Sequence, residues 1–381
     1  MRICDVVKNS VWFDPRVKKQ IVSYNNDADC EVIAVGIEDS RYNEEEVNKI
    51  PCKTKIVRVA PKYFRSGRTF FTKLKRELIV NREIVRAIIE SSPDIIHAND
   101  LNALVPAYKA AKKLGCKLVY DSHEVFVENL GIVNHKLIKM IWAFQEKRLV
   151  KKVDLMICVS HSAAEYFEKK YKIKKPTVVT NCISADRLIK GEAKKAPTKQ
   201  VLNHGQFYAG RGYDIMIEAA NLMMENKELQ FVLRGYGSME QALREKAKDL
   251  KTDNVIFAPP VRVEELIPNA SSAWVGLAIT EAISLNFKLS VSNKIFEYAA
   301  AGLPVIMSNI PEHRYLNSKY NFGIILEKDT PNALVEAINT LYVDGTFYEE
   351  CAKNAMKMSV EINWDEQFGD LIKAEQKMMQ M

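Results

Sequence analysis

Lys294 and Glu297 lie three residues apart in "SNKIFEYAAAGLPVIMS", residues 292–308, so both face one side of a helix's first turn. Ser292 and Asn293 are cap residues that start this helix, and Gly302-Leu303-Pro304 stops it. A lysine there opposes the helix dipole, which favours negative charge at that end, and an anion bound beside it would resolve the conflict. Glu297 can accept two hydroxyl hydrogen bonds from a ribose diol. The alternative is a solvated helix glutamate, although the apolar surroundings make an unpaired carboxylate costly. In "HGQFYAGRGYD", Gly205 follows an apolar run, and Gly210, Arg211 and Gly212 precede a helical pattern. Glycines at a helix start let backbone N–H groups approach an anion, and Arg211 adds a forked donor. "RGYGSMEQAL" repeats the idea with Gly235, Tyr236 and Gly237. Each glycine cluster alone is more often just a tight turn. Three helix starts carrying Arg211 and Lys294 read together as a diphosphate site.

A second set lies in the first half. "VYDSHEVF" puts Asp121, His123 and Glu124 at the end of an apolar run, and "DIIHAND" does the same with His97, Asn99 and Asp100. A lone histidine at a strand end is commonly structural. Flanked by carboxylates on a loop, His123 becomes a candidate for catalysis. In "NSVWFDPRVKKQ", Asp14 and Arg16 either orient each other towards a substrate or form a structural pair. "NNDADCE" holds Asp27 and Asp29 in a DxD spacing, but it precedes a strand, and a turn is the expected reading.

The elements that must position these residues are apolar, β-rich runs alternating with helical patterns. "RICDVV", "CEVIAVG", "KIVRVA", "DIIHAND", "KLVYDSHE", "LMICVS" and "TVVT" are followed, after the Lys-rich linker "SADRLIKGEAKKAPTKQ", by "VLNHGQF", "QFVLRGYG", "NVIFAPP", "WVGLAI", "LPVIMS" and "FGIILE". Near-continuous apolar strands between helices mean parallel sheets covered on both faces. The expected fold class is therefore α/β, with two doubly wound domains and a cleft between them. The loops after the strands are where ligands bind in such sheets.

Composition narrows the possibilities. Residues 1–190 hold 35 Lys and Arg against 23 Asp and Glu, while the rest of the chain is acidic on balance. The first half is thus expected to meet something anionic. Residues 61–86 interleave eight basic residues with Tyr63, Phe64, Phe70 and Phe71, and residues 135–152 form a second basic amphipathic stretch. These suit an anionic membrane surface, unless the aromatics pack inward and the lysines are merely solvated. No nucleic-acid recognition motif accompanies the charge. Seven scattered cysteines without a CxxC spacing argue for free thiols and against a zinc site. The strand pattern at "MRICDVV" leaves no expected leader, and a cytoplasmic location, peripheral on the inner face of a membrane, is the expectation.

"NKIFEYAAAGLPVI", "GQFYAGRGYD", "RGYGSMEQAL" and "NWDEQFGDLI", with "DPRVKKQ", "DIIHAND" and "VYDSHE" in the first half, together resemble the family 4 (group 1) nucleotide-sugar glycosyltransferases of the GT-B fold. The resemblance implies two Rossmann-like domains: residues 1–185 for the acceptor, with the helix 365–381 packing back on them, and residues 186–364 for the donor. It implies transfer of a hexose from a nucleoside diphosphate, uridine diphosphate being expected, to a glycan or lipid-linked hydroxyl in polysaccharide synthesis. Retention of configuration is expected, with no metal and no cofactor. His123 and Glu124 take the catalytic positions; Asp14, Arg16 and Asp100 face the acceptor. The donor set is Gly205, Gln206, Arg211, Gly212, Gly235, Tyr236, Gly237, Val261, Arg262, Ser292, Asn293, Lys294 and Glu297. Two positions depart from the family pattern. Leu289 stands where a second glutamate contacts the sugar, and Gln206 replaces a phosphate-binding arginine. A sugar-nucleotide epimerase of the same fold, or a non-catalytic partner subunit, are the rival readings.

Overall fold

Among the described residues thirteen strands form, the central ones buried between covering helices, and all of them pair in parallel. The computed structural model describes residues 1–26, 30–39, 42–58, 70–189, 191 and 194–380, with backbone alone at 70–73. The expected DxD turn at Asp27 and Asp29 lies outside these residues, as do positions 61–69 of the basic-aromatic stretch 61–86, Tyr63 and Phe64 among them. Two units divide the chain: Met1–Val179 with Phe368–Met381, and Thr180–Gln367.

In the first unit the strands are β1 (Arg2–Val6), β2 (Glu31–Ile37), β3 (Lys53–Val57), β4 (Ile95–Asn99), β5 (Lys117–Ser122), β6 (Leu155–Cys158) and β7 (Thr177–Val178). Their order across the sheet is β3-β2-β1-β4-β5-β6-β7. The chain winds outward from β1 and returns to it at β4, so the order reverses between those two strands. That reversal opens a crevice at their carboxyl ends. Asp100 turns β4 straight into the helix Asp100–Leu114 by taking φ +64°, a left-handed conformation that a non-glycine residue adopts at a cost of about 1–3 kcal/mol.

The second unit repeats the scheme with β8 (Lys199–Gln206), β9 (Leu229–Tyr236), β10 (Val255–Ala258), β11 (Val275–Ala278), β12 (Val305–Met307) and β13 (Gly323–Ile325). The order is β10-β9-β8-β11-β12-β13, reversing between β8 and β11. One core layer gathers Phe231, Leu233, Ile217 and Leu277, and the layer on the other face gathers Tyr298, Phe296, Leu303 and Phe322. Gly235 faces Gly205 across β9 and β8; a Cβ on Gly235 would stand 1.8 Å from the Gly205 carbonyl oxygen. The two strands can run this close only because Gly235 has no side chain, whereas a Cβ on Gly205 would meet open space.

The helix Trp364–Met379 begins in the second unit and ends in the first. Leu371, Glu375 and Met378 share its buried face, so a carboxylate occupies a position in an otherwise apolar stripe. Tyr24 Oη donates to Glu375 Oε1 at 2.7 Å, and His97 Nε2 bonds the same oxygen. His97 is fully buried and tied to this helix, so it is not presented to a substrate. Burial works against the His97 charge, but the carboxylates of Glu375, Asp5 and Asp121 together outweigh it and raise the imidazole above its ordinary value. This contribution to stability is complete below the unfolded histidine value of about 6.5 and fades as pH rises through the elevated folded one. Glu375→Ala is expected to lower unfolding stability by about 3 kcal/mol, because it strands two buried partners. Chemical denaturation checks it; an unchanged midpoint contradicts it. No helix among the described residues is long and apolar enough to cross a membrane.

Candidate functional site

In the second unit β8 ends at Asn203, His204, Gly205 and Gln206, and the loop that follows returns at Gly212 into the helix Tyr213–Leu222. Gly212 sits at φ +68°, and a Cβ there would meet the Ile279 side chain at 2.3 Å. The Gly212 N–H donates to Glu281 Oε1 at 3.0 Å, and the Glu281 N–H donates to the Gly210 carbonyl at 3.1 Å. Glu281 thus staples the loop on both sides of Arg211. This corrects the expectation that the helix start at Gly212 offers a free amide: its donor is already committed. Arg211 Nε donates to Tyr208 Oη at 2.9 Å, and its guanidinium lies 5.0 Å from the Phe287 ring centre. These contacts hold the fork without neutralising it.

Ser292 caps the helix Asn293–Ala300 without a side-chain cap hydrogen bond, and no acidic residue occupies its first turn. Lys294 is 9 % exposed. Its Nζ donates to Asn203 Oδ1 at 2.6 Å. Among the described residues no carboxylate lies within 4.0 Å of the Lys294 ammonium or the Arg211 guanidinium. Burial first, and then the Arg211 charge, lower the Lys294 ammonium to about 7, with Glu297 opposing. One turn on, Glu297 Oε2 meets His204 Nε2 at 2.7 Å. The His204 N–H donates to Tyr298 Oη at 3.1 Å, fixing the strand end beneath that pair.

These side chains converge on one cavity of about 270 Å³, lined by His204, Gly205, Gln206, Tyr208, Arg211, Tyr213, Leu266, Ser292, Asn293, Lys294 and Glu297. Seven residues expected from sequence are therefore together: Gly205, Gln206, Arg211, Ser292, Asn293, Lys294 and Glu297. Gly212 and Gly235 support it through backbone approach, while Tyr236 is exposed and receives a 3.4 Å hydrogen bond from Gln206. Gly237 faces a separate surface with Arg244. Val261 and Arg262 do not line the cavity; the exposed Arg262 instead starts the short turn Val263–Glu265, after which Leu266 reaches it. His204, Tyr208, Tyr213 and Leu266 were not expected. The only available signal for His204 was its place one residue before Gly205 at a strand end.

The first unit builds a second polar cluster at the carboxyl ends of β4 and β5. Asn99 Nδ2 donates to Asp5 and to the Val6 carbonyl, which turns its Oδ1 to His123 Nε2 at 3.0 Å. His123 Nε2 therefore donates. The opposite nitrogen, Nδ1, lies 3.7 Å from Asp14 and 3.8 Å from Asp100. Burial disfavours the His123 charge, but the carboxylates of Asp100, Asp121 and Asp14 outweigh it and hold the imidazole at about 9. His123 is an imidazolium at neutral pH, hence a cation and not a base. Asp100 accepts the His123 backbone N–H at 3.0 Å. Burial raises its carboxyl to about 7, against the pull of His123. Both Glu124 oxygens accept from Asn129 Nδ2 at 2.8 Å.

Arg16 departs from expectation. Its guanidinium grips Asp121 with two hydrogen bonds of 2.8 and 3.0 Å, and Gln20 adds a third at 2.7 Å. Buried at 3 % exposure, it holds β5 and is not presented to a substrate. Asp14 does not pair with it side chain to side chain. Asp14 caps the helix Pro15–Asn25, accepting from the Arg16 and Val17 amides at 3.1 and 3.2 Å. Its other oxygen remains near His123.

Set beside known proteins, residues 20–187 match the family model "Glycosyltransferase Family 4" and residues 198–344 match "Glycosyl transferases group 1". No curated protein matches the sequence. Among solved structures, HepE from Anabaena in complex with UDP is 16 % identical, with a TM-score of 0.76 over 99 % of this chain and 100 % of that one. Sucrose-phosphate synthase from Thermosynechococcus elongatus is 15 % identical, with a TM-score of 0.74 over 100 % and 99 %. A glycosyltransferase from Rickettsia africae is 13 % identical, with a TM-score of 0.74 over 99 % and 98 %. At these identities the structural likeness carries the fold alone.

Proposed function

The chain belongs to the group 1 glycosyltransferases of the GT-B fold, and from that premise we propose that it moves a sugar from a nucleoside diphosphate to a hydroxyl of a glycan or lipid-linked acceptor. Uridine diphosphate is the proposed carrier, supported by HepE, whose structures hold UDP and UDP-glucose. One observation carries the reading: a buried lysine and a stacked arginine share a cavity with Glu297, and neither has a carboxylate within 4.0 Å among the described residues. A diphosphate supplies the missing charge, and Glu297 takes the hydroxyls of the attached ribose.

In the proposed reaction the bond from the anomeric carbon to the diphosphate oxygen breaks, and its electron pair stays on that oxygen. Lys294 and Arg211 stabilise the charge as it builds, which in a water-poor site is the largest single catalytic contribution. The acceptor oxygen forms the new glycosidic bond and its proton leaves. Asp100, held near 7, suits that proton better than Glu124, whose two oxygens are taken by Asn129. His123, as a donor cation, positions the sugar. Retention of configuration is proposed from the family resemblance. Matches to glycosyltransferase models in both halves favour this reading over an epimerase.

Incubation with a panel of nucleotide sugars, with free nucleotide as the readout, tests the assignment. Glu297→Ala is expected to raise the donor KM by about 10- to 100-fold, the worth of one or two charged hydrogen bonds. A KM that stays at the parent value removes Glu297 from the donor site.

A further inference from the structure

Leu137, Met140, Ile141 and Phe144 recur at i, i+3, i+4 and i+7 on the helix Lys136–Leu149, a spacing that turns an apolar stripe towards a core in most globular helices. Here the stripe faces outward. Met140 is 62 % and Phe144 66 % exposed, and only Glu146 and Leu149 of this helix are buried. The neighbouring helix Asp100–Leu114 runs beside it, and the two enclose an open groove of about 800 Å³ floored by Val105, Tyr108 and Leu149. Lys109, Lys112 and Arg148 line its edge. Glu146, the one acidic residue on the exposed helix, points inward and bonds Tyr171. Lys139 is paired with Glu128 at 2.6 Å, which leaves Lys136, Lys147 and Arg148 as the helix's outward charges.

We propose that this face docks the protein on an anionic phospholipid bilayer, the Met140–Phe144 stripe entering the headgroup–acyl boundary and the rim cations meeting lipid phosphates. Charge complementarity selects this occupant. A second copy docked symmetrically would set Lys109, Lys112 and Arg148 against themselves, and an uncharged apolar partner would leave the rim unmatched. The excess of basic residues in positions 1–190 adds attraction of the same sign. The inference deepens the lipid-linked acceptor in the proposed function and rests on it for its purpose; bilayer binding itself is measured separately.

The test is flotation of the full chain with phosphatidylcholine vesicles, with and without phosphatidylglycerol. The protein is expected to float with the anionic vesicles, to be released by salt, and to ignore the neutral ones. The double variant Met140→Asp/Phe144→Asp is expected to bind at least about tenfold more weakly, as is Lys109→Glu/Lys112→Glu. Both keep the parent's nucleotide release from donor sugar, which shows that they fold. Binding equal in parent and variants, or indifferent to phosphatidylglycerol, overturns the proposal. So does a dimer of the parent in light scattering that Phe144→Asp dissociates without any vesicle binding. If flotation behaves as expected but no donor is turned over, the donor reading fails and the docking face stands.

Discussion

Lys294→Met should lower turnover by about 10²- to 10³-fold while making the ligand-free protein more stable. The two effects have one cause. The ammonium is buried beside Arg211 and, among the described residues, hydrogen-bonds the Asn203 amide oxygen and no carboxylate. Desolvating a cation without a counter-charge is unfavourable, and an unbranched thioether of similar length fills the space without that penalty. A gain of about 1–2 kcal/mol is expected, in line with apolar replacement of buried charge. Its pH dependence has a defined sign. The folded-state value, about 7, lies below the ordinary 10.5, so the unfolded chain binds more protons between these limits. Parent stability therefore rises with pH across that window, and the advantage of Lys294→Met is largest at pH 7 and below and shrinks towards pH 10. Calorimetry with and without uridine diphosphate measures both halves: the nucleotide should stabilise the parent far more than the variant. A variant that turns over donor within about threefold of the parent would remove Lys294 from the transition state.

The second large effect is at His123. His123→Ala is expected to reduce kcat by about 10²-fold, the worth of one preorganised donor to developing charge. The pH profile separates this role from that of a base. A base must be unprotonated, so activity dependent on it would rise through its titration. His123 is held at about 9 and acts while protonated, so kcat at saturating donor, whose diphosphate raises Lys294 back above its ligand-free value, should persist above neutrality and fall as pH passes 9. On the acid side, Asp100 titrates near 7, and activity should decline below that point as the carboxyl gains its proton. Asp100→Asn is expected to flatten the acid limb and His123→Ala the alkaline one. An alkaline limb that survives His123→Ala contradicts the assignment.

The alternation of apolar runs and helical patterns was legible throughout, because parallel strands buried on both faces write themselves as uninterrupted apolar segments. The helix at Asn293 was equally legible, since caps and stops are local signals. Pairings across long stretches of chain were not. Arg16 and Asp121 are 105 residues apart, and His97 and Glu375 are 278 apart; no spacing rule reaches that far. Glu281 reaches the Gly212 amide from 69 residues on, so a glycine turn that reads as an open anion site is already filled. Asp14 is instructive in the other direction. Residues two apart on a helix do not face each other, and aspartate before proline is a cap signal, so its true role was available from local rules. His204 was hidden for a different reason: at a strand end that reads Asn203-His204-Gly205-Gln206, the sequence says nothing about which partner crosses to meet each polar side chain.

The discontinuity of the first unit bears on how the polypeptide is made. Everything up to Val179 leaves the ribosome early, yet Tyr24 and His97 wait for Glu375, which emerges only after the whole of Thr180–Gln367. The later unit is continuous in sequence and can mature as a single stretch. The earlier one has to hold an unfilled seat for the length of that synthesis, which makes the first-translated half the last to close.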